Sequence, residues 1–224
     1  MKHFSFKPTL VWDTILVISI FLCAFVIPVF PPSWGRMPIR IGFTLIFLSG
    51  VLSLEKRNLY ILYLSLAAFA MEWISGVLDL EVISYISKFL NALFFFFVII
   101  LLIREMARSK IVTARVIMAS VSGYLLLGVI YSMLIAFIIQ RDPAAFNIAR
   151  KGEGLIDASS YMSESMYYGF VTLATLGYGD ILPLKPYTRS LATLITISGQ
   201  LYIATIIGIL IGKYAARDHS GKGK

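Results

Sequence analysis

Cysteine, histidine and charge are what this chain has least of. Its one cysteine, Cys23, lies inside an apolar run, which excludes a disulfide framework and a cysteine-based zinc site. Both histidines, His3 and His219, stand near the termini. No Ser–His pair or His cluster is therefore placed to act inside an apolar interior, and an intramembrane enzyme is not expected. Charged residues make up 14% of the 224 and hydrophobic ones 58%, whereas soluble domains run at about 25% and 45–50%. That balance belongs to an integral membrane protein. The net charge of +8 sits in short clusters between apolar runs, the pattern of membrane loops, so no nucleic-acid partner is expected. The basic start "MKHFSFKP" has a signal peptide's charge. The run after it is longer than a signal core and lacks a small-residue cleavage site, so it reads as a retained first span.

A hydrocarbon core about 30 Å thick needs roughly 20 apolar residues per crossing helix. Six stretches meet this: 10–30, 37–54, 59–78, 82–103, 116–140 and 190–212. With both termini inside, twelve of the 20 Lys and Arg fall on the cytoplasmic side and seven on the outer side, with Lys88 intramembrane. The bias favours that orientation. No cytoplasmic ligand-binding domain of the usual kind is expected, and lipid and copies of the same chain are the expected partners.

The long connection lies between the fifth and sixth runs, residues 141–189. Its first part, "RDPAAFNIARKGEGLIDASS", reads as a polar surface turret. "YMSESMYYGFVTLA" then turns apolar for 14 residues, too few to cross a membrane and suited to a re-entrant helix, with Asp157 or Ser159 as its cap. It ends in "TLGYGD". Irregular backbone at membrane depth is tolerated only inside protein or along a water-filled path. Glycine allows positive φ, so successive carbonyls can be turned to one side. Such a row of oxygens can replace the water shell of a cation, whose bare transfer to a low-dielectric medium costs tens of kcal/mol.

"TxxTLGYGD", residues 172–180, resembles the selectivity-filter signature of the tetrameric potassium channels. The resemblance implies an all-α membrane protein of six transmembrane helices plus one re-entrant pore helix and filter, four subunits around a central pore. It implies K+ as the permeant ion, no catalytic cofactor, and K+ sites at Thr175, Leu176, Gly177 and Tyr178, with Gly179 and Asp180 completing the filter. A multi-pass protein of a prokaryotic inner membrane is the implied location. "SGQLYIATIIGILIGKY" resembles the inner helix of prokaryotic members, with Gly199 at the position of a hinge glycine. Ala204, Gly208, Gly212 and Ala216 recur every four residues as a small-residue stripe, the first three at the expected helix crossing, and Gln200, Ile203 and Ile207 are candidates to face the cavity. Tyr167 and Tyr168 stand where many members brace the filter with a tryptophan pair, and with Thr172 they are the expected filter support. Leu176 replaces the commoner valine, and Val171 a glutamate found in some members.

Six spans match the layout of voltage-gated channels, but the fourth has only Lys88 before Arg104. One charge moving through the whole field gains about 2.3 kcal/mol per 100 mV, so no conventional voltage sensor is expected. Glu72 and Lys88 can pair as an intramembrane salt bridge, and Asp13 reads as reaching the interface. The "FFFFV" run at 94–98 reads as lipid-facing or packed. The expected division is a four-helix sensor-like unit without an arginine repeat over 1–115, a pore unit over 116–214 and a basic tail over 215–224. Alternatives in function are a non-selective cation channel of the same architecture, whose filter would lose the Tyr-Gly ending, and a secondary transporter, which would show paired broken helices.

Overall fold

The computed structural model describes residues 10–26, 29, 37–53, 63, 66–67, 69–71, 73–74, 81–109, 111–150 and 158–221. Its main elements are α1 (Leu10–Phe21), α2 (Met37–Ser53), α3 (Glu81–Arg108), α4 (Ala114–Arg141), α5 (Ala158–Leu173) and α6 (Pro186–Gly221). A π-helical turn, Leu22–Val26, extends α1. No strand occurs among the described residues. Phe89–Arg108, Ala114–Arg141 and Pro186–Tyr214 are long and apolar enough to cross a membrane, and Leu10–Val26 and Met37–Ser53 are shorter apolar helices. Most of the expected span 59–78 lies outside the described residues, as do Glu72, Asp157 and the Lys88 side chain.

Local signals account for the helix ends. The Thr113 side chain accepts a hydrogen bond from Val116 N–H at 3.4 Å and caps α4, satisfying one of the four donors a helix N-terminus leaves free. At the other end the Asp142 N–H closes the helix on Ile138 O. Asp142 then caps the following turn, accepting from Ala144 N–H at 3.1 Å. The 16 residues of α5 reach only about 24 Å at 1.5 Å per residue. That is less than the roughly 30 Å of a hydrocarbon core, as a re-entrant helix requires.

Two apolar clusters hold these helices. The larger joins Leu16 and Ile20 of α1, Phe43 and Phe47 of α2, Phe94 and Phe95 of α3 and Leu126 of α4, and extends to Met166 of α5 and Ile206 of α6. Helical periodicity splits the phenylalanine run: Phe94 and Phe95 are fully buried while Phe96 and Phe97 are exposed. The buried pair meets Phe47 at ring distances of 4.7 and 4.9 Å. Through the π-turn, Phe25 comes within 5.4 Å of the Phe170 ring, so α1 leans on α5 as well as on α4. The smaller cluster gathers Ile135, Ile139, Phe146, Ile148, Tyr168, Leu173, Ile181 and Ile195 around the end of α5.

Asp13 is tied down between helix ends. It is 2% exposed, because its carboxylate accepts from the Ser53 hydroxyl at the end of α2 and from Arg115 Nε, 3.1 Å away at the start of α4. Arg115 also donates to Ser53 O at 3.3 Å. One carboxylate thus ties three helix ends together. Removing one partner of a buried pair costs about 3–5 kcal/mol. The low end applies here, since the Arg115 side chain remains 25% exposed and partly screened. Asp13→Ala should therefore melt well below the parent in detergent, with Asp13→Asn between the two. Equal melting temperatures for all three would show that the cluster contributes nothing.

Candidate functional site

The segment after α5 has a backbone that alternates in hand. Thr175, Gly177 and Gly179 have φ of 62°, 53° and 80°, and Thr175 is the non-glycine residue with positive φ among the described residues. Alternating left- and right-handed residues turn successive N–H groups to one side and carbonyls to the other. The start is set by the helix itself. Leu176 N–H donates to Val171 O at 2.9 Å and Thr175 N–H to Thr172 O at 3.0 Å, the pair of bonds that closes a helix on a left-handed residue. Glycine usually occupies that position; here it is Thr175, at a cost of about 1–3 kcal/mol. Its N–H and that of Leu176 are thereby taken up by the helix. Among the described residues, no donor reaches the carbonyls of 175–179.

Those oxygens lie beyond the C-terminus of α5, where the helix dipole is negative and favours a cation. The segment projects from the chain: Leu176 is 59% and Tyr178 69% exposed. A Cβ added at Gly177 or Gly179 would meet nothing within 4 Å. These two glycines are present for their backbone angles and not for close packing.

The two tyrosines of α5 take different parts. Tyr167 O–H donates to Asp180 Oδ2 at 2.7 Å. Tyr168 is buried with its ring edge-on to Phe146 at 5.2 Å. Thr172 is also buried, and its carbonyl accepts from Thr196 Oγ1 of α6 at 3.4 Å.

In α6 the glycines divide in a way that spacing does not reveal. Gly208 and Gly212 face open space within the chain and Ala204 is exposed. Gly199 is the tight one: a Cβ there would lie 2.3 Å from Leu173 O and 2.9 Å from Leu173 Cδ1. The helix runs unbroken through this position. Gln200, Ile203 and Ile207 are exposed on the same helix. Tyr202 O–H donates to Ser120 O at 2.8 Å, and the Lys213 ammonium donates to Met106 O, so α6 is fastened to α4 and to the end of α3.

The connection 141–150 is less of a surface turret than its composition suggests. Ala145, Phe146 and Ile148 are buried, and Phe146 forms an antiparallel bridge with Pro183. The sequence carries a signal for this: in "AAFNI" two large apolar residues flank an asparagine inside an otherwise polar stretch. Among the described residues there is no group of three or more His, Cys, Asp and Glu able to hold a metal.

Residues 119–215 match a family model described as "Ion channel". The match takes in α4 from its second turn, the connection, α5, the segment 174–185 and α6 as far as residue 215. No curated protein matches the chain.

Proposed function

We propose that four copies of this chain form a K+-selective pore with residues 175–180 as the filter, a reading supported by the match of residues 119–215 to a family model described as an ion channel. The observation that carries this reading is the alternation of φ at Thr175, Gly177 and Gly179, which turns a row of unbonded carbonyls to one side of the segment. In this reading Thr175, Leu176, Gly177 and Tyr178 contribute the oxygen rings, and the end of α5 adds its dipole.

The need for several copies follows from exposure. Backbone carbonyls without partners are not stable against lipid. Leu176, Tyr178 and, on α6, Leu201, Ile211 and Tyr214 are all well exposed in the single chain. A ring of four gives the segment a shared axis and lets neighbouring α6 helices cover one another's exposed faces. Within that assembly residues 116–214 act as the pore unit, and residues 1–115 surround it without a voltage-sensing role. Both termini lie on the cytoplasmic side.

The test is ion flux through purified protein in liposomes, under a K+ gradient and then a Na+ gradient. Flux of K+ well above that of Na+ is expected. Equal flux of the two ions would sink the selectivity and leave a non-selective pore. The sensor reading has its own check. Lys88→Ala should leave the midpoint and slope of the current–voltage relation almost unchanged, since a single charge carries so little of the field. A large shift in either would restore voltage sensing to α3.

A further inference from the structure

We infer that Asn147 is a positioning residue for ion selection, its side-chain amide holding the Asp180 peptide at the outer end of the filter. This rests on the reading of 175–180 as a K+ filter.

The amide is used at both ends on one stretch of chain. Its Oδ1 accepts from Leu182 N–H at 2.7 Å, and its Nδ2 donates to Asp180 O at 3.1 Å. The Asn147 backbone N–H also donates to Leu182 O at 3.2 Å, and Leu184 N–H donates to Ala145 O at 2.8 Å. The opposite amide orientation would set NH2 against N–H and oxygen against oxygen, so the pairing chemistry fixes which end is which. The side chain is short, and its backbone is anchored on both sides by the buried Phe146 and Ile148.

Asp180 is consequently gripped from α5 and from the connection, besides accepting from Ile181 N–H through its own Oδ1 at 3.0 Å. Tyr167 holds its carboxylate from α5, and Asn147 holds its carbonyl from the connection. Just before it comes Gly179, with φ of 80° and nothing within 4 Å of where its Cβ would be. A glycine in open space is a swivel: no side chain there resists rotation of the peptide. The restraint must come from the residue after it. Asn147 supplies that restraint through the Asp180 carbonyl, and thereby limits how far the outer carbonyls of the filter can turn from the axis. An oxygen ring that can turn away coordinates a dehydrated ion less selectively, whether selection works by ring size or by the number of oxygens presented.

The experiment compares K+ and Na+ permeability of liposomes holding wild type, Asn147→Ala, Asn147→Asp and Tyr187→Phe, with the oligomer checked by cross-linking. Asn147→Ala should lower the K+/Na+ permeability ratio about tenfold, the scale of one or two lost hydrogen bonds. Asn147→Asp keeps the acceptor for Leu182 N–H and loses only the donor to Asp180 O. It should lower the ratio too, even where its added charge raises the flux of both ions. Tyr187→Phe removes a bond to the same connection, Tyr187 O–H to Asp142 Oδ2 at 2.7 Å, without touching the filter exit, and should keep the wild-type ratio.

An assembled Asn147→Ala or Asn147→Asp with wild-type selectivity overturns the inference and leaves the filter reading standing. An equal loss in Tyr187→Phe also overturns it, by making the effect one of the whole connection. Failure of both Asn147 variants to assemble makes the residue a folding determinant and overturns it as well. A wild type that passes Na+ as readily as K+ fails the filter reading itself.

Discussion

Alanine in place of Gly179 is expected to abolish K+-selective flux while the oligomer persists. Nothing lies within 4 Å of the added Cβ, so the substitution creates no overlap inside the chain. What changes is the backbone, because φ is 80° at this position and 53° at Gly177. A left-handed conformation costs an L-residue about 1–2 kcal/mol, and four subunits would store about 4–8 kcal/mol around one pore. A hundredfold preference between two ions corresponds to only about 2.7 kcal/mol. The strain exceeds what it has to preserve, so the peptide relaxes towards negative φ and its carbonyl leaves the axis. Gly177→Ala should behave alike. Flux in liposomes under opposed K+ and Na+ gradients, with cross-linking to count subunits, measures both halves of the expectation. Wild-type selectivity in an assembled Gly179→Ala protein would remove residues 175–180 from the filter role.

Gly199→Ala is expected to lower both thermal stability and conduction. Resemblance puts a hinge here, and a hinge alone would leave stability intact and alter only opening. The structure supplies a different reason for the glycine. The added Cβ would lie 2.3 Å from Leu173 O and 3.2 Å from its carbonyl carbon. A backbone oxygen at the end of a helix cannot rotate aside as a flexible side chain can. Leu173 lies two residues before Thr175, and Thr196 already pins the preceding carbonyl to α6. Overpacking of this kind costs about 1–3 kcal/mol per site. The shift required to relieve it is passed directly to the closing turn that sets the hand of Thr175. Melting in detergent and flux in liposomes, taken together, separate the two accounts: a Gly199→Ala protein of unchanged melting temperature and altered flux would return the position to the hinge.

How legible the molecule was depended on how far apart the interacting residues lie in the chain. Helix spans were readable because an apolar run is a local property: 116–140 became Ala114–Arg141, and 82–103 became Glu81–Arg108. The short helix α5 was readable for the same reason, its 14 apolar residues appearing inside the 16 of Ala158–Leu173 and the residue beyond. "TLGYGD" was legible because glycine's tolerance of positive φ is a property of the residue itself. The small-residue stripe was less informative. Spacing selected Gly208 and Gly212, whereas among the described residues the close approaches are at Gly199 on Leu173, Gly169 on Ser132, Gly128 on Phe170 and Gly123 on Tyr202. A missing side chain leaves the same mark on a sequence whether another helix fills the space or nothing does.

The sequence by itself determined that this protein enters a membrane, which of the long described segments are helical, and where a helix must stop in a glycine-bearing turn. Each of these follows from the chemistry of neighbouring residues. Only the tertiary structure decided that Asp13 is buried against Arg115, 102 positions away, and that Asn147 holds Asp180, 33 positions away. Both are polar contacts between residues that look like ordinary interface or turret groups in isolation. Their character comes from the apolar packing that brings them together: the α1–α2–α4 core for one, and the Phe146 and Ile148 anchors for the other. A polar side chain carries no local sign of the partner it will meet, because that partner is chosen by the packing of everything around it.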